Sequence, residues 1–280
     1  MRHYDNESLK KSSSIVRSEG SLNLWQTSIG DFWMPKNENV DTIEEMAEII
    51  QGNTYLYHGR TVRKDDVVID CGAHLGSFIR KSLQLGASLV IGVEPSSMKV
   101  EAMRRTFAVE IAAGKVRILQ VAVWDKDDKL WLAGDPNMAN SLIDQSEDGK
   151  KKGGEWVRVT TLDKIFVEEK QNRIDFLKMD IEGAETNALK GATAIIERYH
   201  PFLAIAVEHT DDLAQNARNV LGVVAGFKVS YKHGFGRYGK LNRWAAYTPW
   251  EIFFFTDSLS SALLKEAERY PDTTNNQHEK

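Results

Sequence analysis

Val67-Val68-Ile69-Asp70-Cys71-Gly72-Ala73-His74-Leu75-Gly76-Ser77-Phe78 is an apolar run that reaches a carboxylate, passes two glycines with three residues between them, and enters a segment with the helical spacing Phe78, Ile79, Leu83, Leu85. The pattern predicts a strand, a tight turn and a helix. Glycine at 72 and 76 lets the backbone turn sharply and lets a ligand or the helix come close, where a Cβ would collide.

The ligand class follows from what this turn lacks. A dinucleotide fingerprint needs G-x-G-x-x-G to bring amides onto a pyrophosphate. Here the turn reads D-x-G-x-x-x-G, without the middle glycine and with an acid beside it. That suits a nucleoside that carries no phosphate and bears a positive group, such as S-adenosylmethionine. The next apolar run, Leu89-Val90-Ile91-Gly92-Val93-Glu94, also ends in an acid, and a carboxylate at that position can accept hydrogen bonds from both ribose hydroxyls. Asp70, Gly72, Gly76 and Glu94 are therefore the expected cofactor-binding residues. Ala122-Val123-Trp124-Asp125, at the end of the third predicted strand (116–123), falls where an adenine would lie, which adds Val123. Packing of a helix on a strand is the plainer reading of G-x-x-x-G taken alone.

The 280 residues are 42% apolar, enough to fill a sizeable core, with a net charge of −4. No basic block favours a nucleic-acid partner. The single cysteine, Cys71, excludes a disulfide within the chain, packs as a small apolar group, and fits a reducing, cytoplasmic compartment. No run approaches a membrane span, and the first 20 residues lack the apolar centre of an export signal. Whether the chain forms a homo-oligomer is left open.

Residues 1–20 are rich in Ser, Lys and Glu and predict a loose arm or one that leans on a partner. Leu22, Leu24, Trp25 and Phe32-Trp33-Met34-Pro35 supply bulk to cap the core or line a substrate mouth. Ile43, Met46, Ala47, Ile49 and Ile50 predict an amphipathic helix closed by Gly52. After Glu94, a helix begins at Pro95-Ser96-Ser97 and stops by Gly114. Residues 126–154, rich in Asp, Lys, Asn and Gly, read as a functional loop or lid before the strand 156–159. Strands are predicted over 174–180, 202–207, 227–231 and 251–256, and a last helix over 258–270. The division is an arm and cap over 1–54, a catalytic domain over 55–257, and a terminal helix and tail over 258–280.

Strands alternating with helices, several of them wholly apolar, require an α/β fold with a parallel sheet covered on both faces. In such sheets ligands bind beyond the carboxyl ends of the strands. Asp70, Glu94, Asp180 and Glu208 all stand near predicted strand ends, converging on one edge.

With these residues in place the chain resembles the FkbM family of S-adenosylmethionine-dependent methyltransferases. The resemblance is carried by Ile69 to Gly76, by Val93-Glu94-Pro95, by Val159-Thr160-Thr161-Leu162-Asp163, and most specifically by Lys178-Met179-Asp180-Ile181-Glu182-Gly183-Ala184-Glu185, which is similar to the signature K-x-D-x-E-G-x-E. It implies a Rossmann-like, seven-stranded class I methyltransferase sheet with helices on both faces and an antiparallel last strand. It also implies O-methylation of a hydroxyl on a sugar, glycan or secondary metabolite. His74 departs from the family, which usually has Asn there. Both side chains can donate a hydrogen bond, so His74 joins the expected cofactor contacts, with a role in substrate contact or proton transfer open.

An aliphatic alcohol is a poor nucleophile at neutral pH, so the site needs a general base or a metal. Asp180 and His209 are the expected acid–base pair. Carboxylates of Asp180, Glu182 and Glu208 holding Mg²⁺ are the lesser option. Glu182 and Glu185, read as a helical start, would share one side of it; ordering of the loop is their plainer role. Two other readings compete: a catalytically silent nucleoside- or glycan-binding domain that partners a glycosyltransferase, and a nicotinamide-dependent oxidoreductase, disfavoured by the missing glycine.

Overall fold

The computed structural model describes residues 6–52, 54–56, 60–133, 154–207, 213–229, 232–236 and 252–256. Residues 6–19, expected from composition to be part of a loose arm or one that leans on a partner, form a helix and a strand. Helix α1 (Asn6–Ser12) leads into an antiparallel sheet of β1 (Ser14–Glu19), β2 (Leu22–Gln26) and β3 (Phe32–Pro35). Gly20, in the left-handed region at φ +54°, turns β1 into β2, and Ser18 Oγ donates to Asn23 Oδ1 at 2.7 Å across that hairpin. Leu9, Leu22, Phe32 and Met34 are buried in one apolar cluster with Val68, Phe78, Phe176 and Phe202. Local polarity suggested a loose arm; tertiary burial of a few apolar side chains overrides it. Helix α2 (Val40–Gln51) is capped by Asn39, whose side chain accepts from Asp41 N at 2.7 Å, and it buries Ile43, Met46, Ala47 and Ile50.

The central sheet begins with β4 (Val67–Cys71), which runs through the turn into α3 (Ser77–Gln84), and continues with β5 (Leu89–Glu94). Helices α4 (Ser97–Thr106) and α5 (Ala108–Ala112) then lead to β6 (Val116–Gln120). The chain leaves this sheet at Val121. Strand β7 (Ala122–Val123) pairs instead with β9 (Gly154–Thr160), whose antiparallel partner is β8 (Asp128–Ala133). The predicted single strand over 116–123 is thus two, because Trp124 N donates to Thr160 O at 2.8 Å and draws the segment onto the second sheet. Residues 134–153, the centre of the predicted lid, lie outside the described residues.

Helix α6 (Leu162–Glu168), β10 (Phe176–Met179), α7 (Glu185–Lys190), α8 (Thr193–Tyr199), β11 (Phe202–Ala206), α9 (Leu213–Ala225), β12 (Lys232–Gly236) and β13 (Ile252–Thr256) complete the described elements. The main sheet has the order β12-β13-β11-β10-β4-β5-β6. Pairs from β6 to β11 are parallel, and β13 is antiparallel to both its neighbours. Period-two alternation divides the core between the two faces. Val68, Val90, Phe176 and Phe202 meet α2, α3 and α4, whereas Ile69, Ile91, Leu177 and Leu203 meet the helices α6 to α9.

The sixth strand of this sheet is Lys232–Gly236; of the predicted 227–231, residues 227–229 are not in a strand and 230–231 lie outside the described residues. Phe227 N bonds back to Val224 O at the end of α9, and Lys228 N donates to the Glu197 carboxylate of α8 at 2.8 Å, so neither amide serves a ladder. The predicted helix over 258–270 and the tail lie outside the described residues.

Candidate active site

At the end of β5, Glu94 is 5% exposed, and both its oxygens are held by backbone. Oε2 accepts from His74 N and Oε1 from Ser96 N, each at 3.0 Å. The turn is pinned below, where Gly72 N and Ala73 N both donate to Val93 O. Burial raises the carboxyl above its ordinary range, opposed by Lys99 and by the two amides. A carboxylate has about four acceptor positions, and the two amides use two of them.

Both turn glycines adopt positive φ, and each is needed for packing. A Cβ on Gly72 would run into the Asp180 carbonyl oxygen, and one on Gly76 into the Phe107 ring. His74 between them is also left-handed, at φ +53°. Burial, with Lys99 and Lys178 nearby, holds its imidazole well below the ordinary histidine range, so it is neutral at pH 7.

Lys178 is the hub beneath the turn. Registered against Asp70 on β4, its Nζ lies 3.0 Å from Asp70 Oδ1, 2.8 Å from Gly72 O and 3.4 Å from Cys71 O. The two carbonyls accept hydrogen bonds from this ammonium, and Asp70 is its counter-ion. Burial pulls this ammonium down, but Asp70 and then Asp180 overcome it and hold it above its usual value. Asp70 is 0% exposed, and burial raises its carboxyl while Lys178 opposes that shift. Asp70, expected from the sequence among the cofactor contacts, stands directly before the turn with its Oδ1 3.0 Å from Lys178 Nζ.

Asp180 is the outermost acid of this chain of charges, its side chain 24% exposed and its Oδ2 3.8 Å from Lys178 Nζ. Tyr55 OH donates to the same oxygen at 2.9 Å. Tyr55 was not among the sequence candidates, since nothing in its neighbourhood marks a residue whose partner is 125 positions away.

The rest of the signature block builds the loop after β10. Glu182 and Gly183 take φ +59° and +92°, so Glu182 precedes the helix instead of sharing a helical face with Glu185. Glu185, fully buried, accepts from Ile181 N at 2.9 Å and Gly183 N at 3.4 Å, which orders the loop. Among the described residues no three His, Cys, Asp or Glu side chains are grouped as metal ligands. Glu208 and His209 lie outside the described residues.

Val123 is buried, bonded in register with Thr160, and belongs to the core cluster behind β6. Trp124, partly buried beside it, packs with Ala122 and Val159. The Thr161-Leu162-Asp163 stretch is a double cap. Thr161 Oγ1 accepts from Lys164 N at the start of α6, and the Asp163 carboxylate accepts from Ala194 N and Ile195 N at the start of α8. Cys71 is buried, and that burial pushes its thiol up, away from reactivity. No described helix is long and apolar enough to cross a membrane.

Comparison with known proteins agrees with this arrangement. No curated relative matches the chain. Among solved structures, the methyltransferase FkbM from Methylobacillus flagellatus KT superposes with a TM-score of 0.50 at 19% identity, covering 73% of this chain. The chain spans 47% of that protein. Fibrillarin from Aeropyrum pernix with natively bound S-adenosyl-L-methionine (TM-score 0.40, 10% identity, 88% of this chain and 97% of that one) is more remote. So is the O-methyltransferase from Bacillus cereus in complex with SAH (0.39, 12%, 78% and 90%). The sequence pattern of the methyltransferase FkbM domain matches residues 70–232, more than half of the chain and the whole stretch from Asp70 through the signature block, so the chain belongs to the FkbM methyltransferase family.

Proposed function

We propose that this chain transfers a methyl group from S-adenosylmethionine to a hydroxyl oxygen of a sugar, glycan or secondary metabolite. The observation that carries the reading is Glu94: a buried carboxylate at a strand end, its two oxygens fixed by the amides of His74 and Ser96, with acceptor positions left for a ribose diol. When bound, S-adenosylmethionine supplies an electrophilic methyl on a positively charged sulfur. Glu94 and the 72–76 turn hold its nucleoside end. Val123 and Trp124 flank the base.

Asp180, at the rim and held by Tyr55 and Lys178, orients the acceptor hydroxyl and with His209 removes its proton as the oxygen–methyl bond forms. Mg²⁺ on Asp180, Glu182 and Glu208 is the alternative means of acidifying that hydroxyl. Residues 55–257 form the transferase domain and 1–54 its cap.

The test is calorimetry with S-adenosylmethionine, S-adenosylhomocysteine and NADH, followed by transfer of labelled methyl to a panel of sugar nucleotides, glycans and phenolic alcohols, with and without EDTA. Binding of the first two ligands and labelling of a hydroxylated acceptor are expected. Binding of NADH alone, or tight cofactor binding with no acceptor labelled, would contradict the proposal.

A further inference from the structure

We infer that Tyr55, which precedes the family-matched stretch, is a positioning residue of the transfer site, acting through Asp180. The inference rests on the cofactor reading above. Lys178 donates to Gly72 O and Cys71 O at 2.8 and 3.4 Å and is paired in charge with Asp70 at 3.0 Å. It therefore acts on Asp180 at 3.8 Å as a charge rather than as a hydrogen-bond donor. Tyr55 OH supplies a hydrogen bond to the same Oδ2 at 2.9 Å.

The tyrosine is itself well fixed. It is buried, its ring packs edge-on against Phe78 at 4.8 Å, and Lys178 Nζ stands 5.8 Å from the ring centre. Phe78 belongs to α3, which begins just after Gly76, so the tyrosine links the turn's helix to the signature acid by direct contacts. A carboxylate held by a phenol keeps its orientation. Loss of that donor removes one of the contacts that orient Asp180 and lets the charge of Lys178, 3.8 Å away, draw it from the rim. The segment before the first core strand thus contributes to the site as well as to the cap.

The experiment is a double-mutant cycle read by calorimetry, using wild type, Tyr55→Phe, Asp180→Asn and the double variant. Two probes are used: sinefungin, which carries an ammonium where the cofactor has its sulfonium methyl, and S-adenosylhomocysteine, which has no charge there. With Asp180 present, Tyr55→Phe should weaken sinefungin roughly three- to tenfold, the worth of one hydrogen bond, and change S-adenosylhomocysteine by less than about twofold. In the Asp180→Asn background, Tyr55→Phe should cost nothing further. Equal losses in both backgrounds, equal losses for both probes, or wild-type affinity in Tyr55→Phe would overturn the inference while leaving the cofactor reading intact. A Tyr55→Phe chain that does not fold would overturn it too, by making the hydroxyl a folding requirement. A wild-type chain that binds neither probe would contradict both.

Discussion

Lys178 Nζ lies 3.0 Å from Asp70 Oδ1, with 5% and 0% of the two side chains exposed, so the signature lysine and the strand-end acid are each other's counter-ion inside the sheet. Breaking such a pair leaves a charge buried without compensation. Lys178→Met should therefore cost about 3–5 kcal/mol in urea unfolding. The double variant Lys178→Met, Asp70→Leu should recover most of that loss. A double variant as unstable as the single one would show that the carbonyl contacts, not the ion pair, dominate.

Gly72 is where the turn meets the strand that carries the signature block. At φ +75°, with the Asp180 carbonyl oxygen where a methyl would go, it tolerates no side chain. Gly72→Ala should lose at least about 2 kcal/mol, from left-handed strain plus the clash, and weaken S-adenosylhomocysteine as the Asp180 backbone is displaced. A thermal melt within error of wild type would refute that packing.

The partly buried imidazole of His74 gives a pH dependence whose sign can be worked out. Its folded value lies well below the ordinary 6.5, because of burial and then Lys99 and Lys178, with Asp180 in opposition. A depressed value means that stability is fully present above 6.5 and is lost as pH falls toward the folded value. Each pH unit below 6.5 should cost at most about 1.4 kcal/mol through this group. Unfolding free energies at pH 7.5, 6.5 and 5.5 should therefore fall more steeply for wild type than for His74→Asn. Parallel curves would place His74 in a solvated setting.

Much of this architecture is legible in the sequence because its signals are local. The apolar run into Gly72 and Gly76, the amphipathic helix through Ile43 to Ile50, and the acid closing β5 all lie within short windows of period two or 3.6. Pairing register is not local. Asp70 reads as a strand-end acid, but its partner is chosen by the alignment Lys178↔Asp70, which turns its carboxylate inward. The same limit hid Tyr55, whose partner is far along the chain. It also split the predicted third strand, since Val123 pairs with Thr160 on another sheet. Glu182 was misplaced on a helical face because i, i+3 spacing cannot reveal a left-handed residue before the helix begins.

The central claim is that Glu94 receives the ribose of S-adenosylmethionine, and the most direct measurement is the calorimetric affinity of Glu94→Ala beside wild type, with circular dichroism to confirm the fold. Removing a charged acceptor of two hydroxyls should weaken S-adenosylmethionine by about 1.5–3 kcal/mol, roughly ten- to 150-fold. A folded Glu94→Ala chain that binds S-adenosylmethionine as tightly as wild type would contradict the account.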